Sequence, residues 1–123
     1  MNSLEYASNA YLKTMVNTSE SKLDLVILLY DGAIEFLHKA VFYMGQKDIP
    51  KKLHYMSKAI DIITELLNSL NMKAGGEVAQ NLQGLYIYML RELTSANIKN
   101  DPEMVNRVQS LLRVLREGWK GIR

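Results

Sequence analysis

The chain has 123 residues, 48% of them hydrophobic, which is enough for one domain to bury a core without disulfides or a metal ion. It contains no cysteine, which excludes thiolate metal sites and cysteine nucleophiles and favours a reducing compartment, the cytoplasm. The net charge of +2 arises from basic residues that alternate with acidic ones, and polar residues interrupt every apolar run, so we expect neither nucleic-acid binding nor membrane insertion.

The first half of the chain predicts a polar tail followed by two helices. Residues 1–20 are rich in serine, asparagine and threonine, and Ser21 has the features of a helix cap, so the first helix should begin directly after it. Gly45 is expected to end this helix. Asp48, followed two residues later by Pro50, is typical of the start of a second helix. The predicted core positions of the second helix are Leu53, Met56, Ile60, Ile63, Leu67 and Leu70.

The second half of the chain predicts two more helices. The pair Gly75–Gly76 should end the second helix, and Asp101 with Pro102 should start the fourth. Apolar residues of the third helix recur at helical spacing: Val78, Leu82, Leu85, Tyr86, Met89, Leu93 and Ala96. Those of the fourth helix are Met104, Val108, Leu111, Leu112, Leu115 and Trp119.

Short connections make successive helices antiparallel neighbours, and no stretch alternates with the period of a strand. The sequence therefore predicts an all-α fold with one domain over residues 1–123. Residues 21–119 should form an antiparallel up-down-up-down four-helix bundle, with the N-terminal tail, residues 1–20, packed on its surface.

Few residues are candidates for catalysis or metal binding. Glu35 and His38 match one copy of the Glu-x-x-His motif of di-iron bundles, but Lys51 stands three residues before His54, so the second copy is missing. Asp31 lies one turn before Glu35, and we interpret the pair as two solvated carboxylates. The sequence thus predicts no enzyme, no metal site and no cofactor. A histidine phosphotransfer domain or another bundle enzyme is the alternative from a different class.

The first helix carries more apolar surface than one bundle face requires. Beside its main stripe, a second stripe contains Leu25, Leu29, Phe36 and Tyr43, with Gly32 in its middle. Glycine in a helix interior costs about 1 kcal/mol relative to alanine, so Gly32 indicates the close approach of a sister helix or of a foreign chain. We expect this stripe to bind a partner polypeptide, and a homodimer that buries it is the alternative.

The third helix and the tail add smaller apolar surfaces. Ile87 and Tyr88 fall outside the core stripe of the third helix, and Gly84 leaves a notch one turn before Tyr88. In the tail, Tyr11 and Leu12 belong to a group of apolar residues within a polar segment. Such a tail could compete with a partner for the first helix or clasp the bound partner, and both alternatives stay open.

Three separated blocks of the chain resemble the flagellin-export chaperones, the FliS family. They are Leu29–Ile34, then Ser69–Met72 with Gly75–Glu77, and finally Ala96–Asn97 with Asp101–Glu103. Tyr11 is similar to a tyrosine of that family's N-terminal segment, and the resemblance extends from about Tyr11 to Trp119.

The resemblance implies a cytosolic chaperone that binds the disordered C-terminal segment of flagellin and prevents premature polymerisation. It also implies delivery of flagellin to the flagellar type III export apparatus, with contacts to export gate components and no nucleotide. The residues themselves indicate where a partner segment would bind, and the predicted partner-binding residues are Tyr11, Leu12, Leu25, Leu29, Gly32, Phe36, Gly84, Ile87 and Tyr88.

Overall fold

The computed structural model describes the backbone of residues 19–122 and the side chains of residues 22–122. This part of the chain forms four helices: α1 Ser19–Gly45, α2 Ile49–Asn68, α3 Met72–Lys99 and α4 Pro102–Gly121. Helix α1 packs on α2 and α4, and α3 packs on the same two helices, so the helices surround one core in chain order. The predicted four-helix bundle is confirmed. Among these described helices, none combines the length and the apolar character that crossing a membrane requires.

Side-chain caps fix the starts of the last three helices. Oxygen atoms of Asp48, Asn71 and Asp101 each accept a hydrogen bond from a backbone N–H in the following first turn, at 2.9 to 3.2 Å. Such caps satisfy N–H groups that have no partner within the helix. Proline in the first turn of α2 and of α4 removes another such N–H group. The predicted starts at Asp48 and Asp101 are therefore confirmed.

Two predicted helix boundaries are wrong. Helix α1 begins at Ser19, two residues before the predicted cap, because serine and glutamate are compatible with a first helical turn. The pair Gly75–Gly76 does not end α2, which already stops at Asn68. The cap at Asn71 starts α3 early, and Gly76, at φ 52° and ψ −130°, kinks its first turns.

The core contains apolar side chains from all four helices, and its largest fully buried members include Tyr30, Leu37, Met56, Tyr86 and Leu93. Two predicted core residues, Leu53 and Val78, are exposed instead, Val78 by 65%. The buried face of α2 is turned away from Leu53, and Val78 lies close to the kink, where α3 is only beginning to pack. The buried residues of α2 are Lys52, Met56, Ala59, Ile62, Ile63 and Leu66.

Lys52 is a charged residue that is buried at one end of the bundle. Its Nζ donates hydrogen bonds to the Asn97 carbonyl oxygen at 3.1 Å and to Asn100 Oδ1 at 3.2 Å. Asn100 Nδ2 in turn donates to the Met44 carbonyl oxygen at 3.4 Å. These bonds join the start of α2 to the ends of α1 and α3.

Two buried tyrosines connect helices that lie diagonally across the bundle. The hydroxyl groups of Tyr30 in α1 and Tyr86 in α3 share a hydrogen bond of 2.5 Å. The Trp119 side chain, from α4, lies beside the Tyr30 hydroxyl and partly opposes the rise in its pKa. Burial raises the pKa of both tyrosines above the usual value near 10. Both groups are therefore neutral hydrogen-bonding groups at ordinary pH.

Candidate functional site

The structure buries half of the second stripe of helix α1. Leu25 and Leu29 are each only 6% exposed and belong to the core. The expectation that these two residues lie uncovered is therefore wrong. Because α1 contacts both α2 and α4, it buries a wider arc than the single stripe that the sequence pattern assigned to the core. A role for Leu25 and Leu29 in partner binding stays a prediction.

The other half of that stripe faces helix α2. The Phe36 and Tyr43 rings both stack on the Tyr55 ring, with centroid distances of 6.1 and 5.6 Å. Phe36 and Gly32 are half-buried. Ring contacts to α2 thus account for much of the apolar excess on α1, and partner binding at Phe36 and Gly32 stays a prediction.

The predicted surface of helix α3 is open. Ile87 is 37% and Tyr88 42% exposed. A Cβ atom added at Gly84 would meet nothing within 4 Å, so this glycine leaves free space beside the helix. The expected exposure of these three positions is observed, and their contact with a partner is a prediction.

Tyr88 lines a groove of about 540 Å³ between helices α3 and α4. The α4 side is formed by Glu103, Asn106, Arg107, Ser110 and Leu111. An ion pair of 3.0 Å between Arg107 Nη2 and Glu92 Oε1 spans the two helices, and its hydrogen bond raises the pKa of Arg107. One turn beyond Leu111, the side chain of Val114 is 68% exposed. Val114 is not among the predicted partner-binding residues, although its place outside the α4 core stripe indicates an exposed apolar residue.

A second opening lies at the end of the bundle where α1 begins. Its volume is about 380 Å³, and its walls come from all four helices. They include Val26 of α1, Leu66 of α2, Val78 and Leu82 of α3, and Trp119 of α4. The apolar lining makes this opening suited to hydrophobic side chains of another segment. The sequence pattern had assigned most of these residues to the core, so it could not indicate the opening.

The residues considered as candidates for catalysis or metal binding make ordinary surface contacts. Asp31 pairs with Arg116 at 3.0 Å, and Glu35 lies 3.9 Å from Lys39. His38 is exposed. Within the described part of the chain, no group of three or more histidine, aspartate or glutamate side chains is arranged to hold a metal ion. The interpretation of Asp31 and Glu35 as surface carboxylates agrees with these contacts.

The predicted tail residues Tyr11 and Leu12 lie outside the described residues. In the described part, the candidate surfaces are the α3–α4 groove and the apolar opening at the end of the bundle. Both are concave surfaces that suit a polypeptide segment.

Comparison with known proteins places the whole chain in one family. The family described as "Flagellar protein FliS" matches residues 3–123. The flagellar secretion chaperone FliS of Vibrio cholerae is 39% identical, covering 92% of this chain and 85% of its own length. The protein of that name from Salmonella typhimurium is 39% identical, with 92% and 87% covered. The Bacillus subtilis protein is 34% identical, with 90% and 81% covered. The chain belongs to the FliS family of flagellar proteins.

Proposed function

We propose that this protein is a cytoplasmic flagellar secretion chaperone that binds the disordered C-terminal segment of flagellin. It acts by binding alone, prevents premature polymerisation, and delivers flagellin to the flagellar type III export apparatus. The observation that carries this proposal is the family match over nearly the whole chain, to relatives that are named flagellar secretion chaperones.

The surface of the bundle supports a polypeptide client. A disordered segment that folds on binding loses conformational entropy. The apolar area that it buries against the chaperone offsets this loss. The groove beside Tyr88 and the apolar opening beside Trp119 offer that area on the described surface. Val114 extends the apolar surface along α4.

The N-terminal tail is proposed to compete with the client for the apolar opening. Tyr11 and Leu12 precede Ser19 by eight and seven residues, about 25 Å of extended chain. The opening lies at the end of the bundle where α1 begins, within that reach. A competing tail lowers the fraction of binding-competent protein and so weakens the apparent affinity for the client.

Titration calorimetry with a peptide of the flagellin C-terminal segment tests the proposal. The full chain should bind the peptide, and the double variant Tyr88→Ser/Val114→Ser should bind about tenfold more weakly, because two apolar contacts are lost. Ile98→Ser serves as the matched control, since Ile98 is 80% exposed and lies outside both openings. Its affinity should equal that of the unchanged protein.

Deletion of residues 1–18 tests the role of the tail in the same experiment. Competition predicts tighter binding after deletion, whereas weaker binding would show that the tail clasps the client. Binding of the peptide to none of the proteins would refute the chaperone proposal itself. Equal loss in the double variant and in Ile98→Ser would show that the groove is not the client site.

A further inference from the structure

A row of aromatic rings runs along the contact between helices α1 and α2. Phe36 stacks on Tyr55, Tyr55 stacks on Tyr43 with planes only 6° apart, and Tyr43 meets Phe42 edge to face at 5.0 Å. Three of these rings are half-buried, and Phe42 is 57% exposed. The row thus reaches the surface towards the link between α1 and α2.

A lysine ammonium group lies over each of the three half-buried rings. Lys58 Nζ is 5.8 Å from the Phe36 centroid, and Lys39 Nζ is 5.4 Å from that of Tyr55. Lys51 Nζ is 5.2 Å from the Tyr43 centroid. At these distances the ring quadrupole attracts the cation and holds the charge beside the rings. We call these rings and lysines the basic aromatic face.

The basic aromatic face ends at an apolar hollow of about 330 Å³. Ile49 at the start of α2 and Ile98 near the end of α3 line the hollow. Its other lining residues are Tyr43, Lys47, Asp48, Lys52 and Asn100. Ile49 is 60% exposed, and Ile98 is more exposed still. Two large aliphatic side chains thus flank one hollow without being covered by the described part of the chain.

Positive charge dominates around this hollow. Lys47, Lys51 and Lys58 make no ion pair with the described residues. Of the nearby acids, Glu35 lies beside Lys39, and Asp48, which lines the hollow, caps α2 and is outnumbered there by Lys47 and Lys52. The surface therefore combines uncompensated cations with exposed aliphatic groups, and its charge complement is an acidic segment that also carries apolar side chains.

We propose that the basic aromatic face and the adjoining hollow dock an acidic segment of a second protein partner, with apolar side chains of that segment between Ile49 and Ile98. The lysines supply steering and charge pairing, and the hollow supplies buried area. This site is separate from the α3–α4 groove, so the second partner binds without displacing the flagellin segment.

The structure favours a polypeptide over a nucleic acid at this face. Base stacking needs free aromatic faces, but here the rings stack on each other and lie beneath lysines. The hollow is flanked by isoleucines, which suit aliphatic side chains. A second copy of the chain is a poor electrostatic complement, because the chain carries a net positive charge of +2.

Fluorescence anisotropy with a labelled peptide of alternating aspartate and leucine tests the proposal on the full chain. The double variant Lys47→Gln/Lys51→Gln should bind about tenfold more weakly, because it removes two charges and retains most of each side chain. Ile98→Ser should lose about fivefold through its lost apolar contact. Controls of matched chemistry are Lys73→Gln/Lys120→Gln and Ile122→Ser, which should bind the peptide like the unchanged protein.

Two further probes separate the kinds of partner. A peptide with asparagine in place of aspartate should bind at least about tenfold more weakly, and a single-stranded oligothymidylate should not compete. The proposal is overturned if the lysine variant and its control bind equally, or if the asparagine peptide binds as well as the acidic one. Preferential binding of the oligonucleotide would also overturn it. None of these results depends on flagellin binding, since Tyr88 and Val114 are not part of this face.

Discussion

At the scale of single residues, Lys52 shows how a charge is accommodated in the bundle. The last carbonyl groups of α3 have no partner within their own helix, and the C-terminal end of a helix attracts cations. The Lys52 ammonium group donates to the Asn97 carbonyl oxygen of that helix and to the side chain of Asn100, while its stem is buried. The hydrogen bonds of Lys52 therefore link the end of α3 to the start of α2.

Replacement of Lys52 by methionine should lower the free energy of unfolding by about 2 kcal/mol. The new side chain fills a similar volume but leaves the Asn97 carbonyl and the Asn100 amide oxygen without their charged donor. Urea unfolding followed by circular dichroism measures the change. The neighbouring control Lys51→Met loses only an exposed contact with the Tyr43 ring and should stay within about 0.5 kcal/mol. Equal losses in both variants would contradict the assigned role of Lys52.

At the scale of helices, two glycines of α3 differ in what they do. Gly76 has a positive φ inside the helix, which side chains rarely tolerate, whereas Gly84 lies on a regular exposed turn. Gly76→Ala should therefore destabilise the protein by about 1 to 3 kcal/mol. Gly84→Ala should stabilise it by about 0.5 to 1 kcal/mol, because alanine costs less conformational entropy in a helix. Thermal unfolding measures both effects: the midpoint temperature should fall for Gly76→Ala and rise for Gly84→Ala.

Gly84→Ala also separates stability from client binding. If the free space at Gly84 receives the flagellin segment, the variant gains stability and loses affinity in calorimetry. A gain in stability with unchanged affinity would remove Gly84 from the proposed client site. A loss of stability would contradict the open environment seen at this position.

The helices of the bundle were largely predictable, because caps and proline positions are local signals. Asp48, Asp101 and the prolines that follow them set helix starts as the sequence indicated. The early start of α3 was missed because Asn71 is a less distinctive signal than the following glycine pair, which resembles a link. Nothing local could distinguish the burial of Lys52 from the exposure of Leu53, since the rotation of α2 depends on its neighbours.

The candidate site was less predictable than the fold. Exposure of Ile87 and Tyr88 followed from the helical period of α3 alone. The burial of Leu25 and Leu29 could not be predicted in this way, because it depends on two neighbouring helices that both contact α1. The groove and the end opening are made of residues from different helices, and a single sequence carries no direct information on that pairing.

At the scale of the whole molecule, the Tyr30–Tyr86 hydrogen bond joins the two helices on a diagonal of the bundle. Burial raises the pKa of each phenol in the folded protein above the unfolded value of about 10. Below pH 10 the pair contributes fully to stability. Above it, the unfolded chain releases protons that the folded chain retains, so stability falls as the pH rises.

The slope of stability against pH above 10 tests this contribution. Each buried phenol adds up to about 1.4 kcal/mol per pH unit, so Tyr30→Phe/Tyr86→Phe should show a distinctly flatter decline than the unchanged protein. The denaturation midpoint in urea at pH 9 to 11 is the measurement. Tyr88→Phe, which removes an exposed hydroxyl, should keep the original slope. An unchanged slope in the double variant would show that folding does not change the pKa of either tyrosine of the pair.

The packing of α1 against α4 has a consequence for synthesis on the ribosome. Helix α1 is translated before α4, yet part of its buried face is covered by α4, whose Trp119 side chain lies beside the Tyr30 hydroxyl. While α4 is still inside the ribosome, the face of α1 that it covers, including the side of Tyr30 next to Trp119, stays exposed. The native bundle therefore cannot be completed until α4 has left the exit tunnel, and until then the nascent chain exposes apolar surface that can bind other proteins.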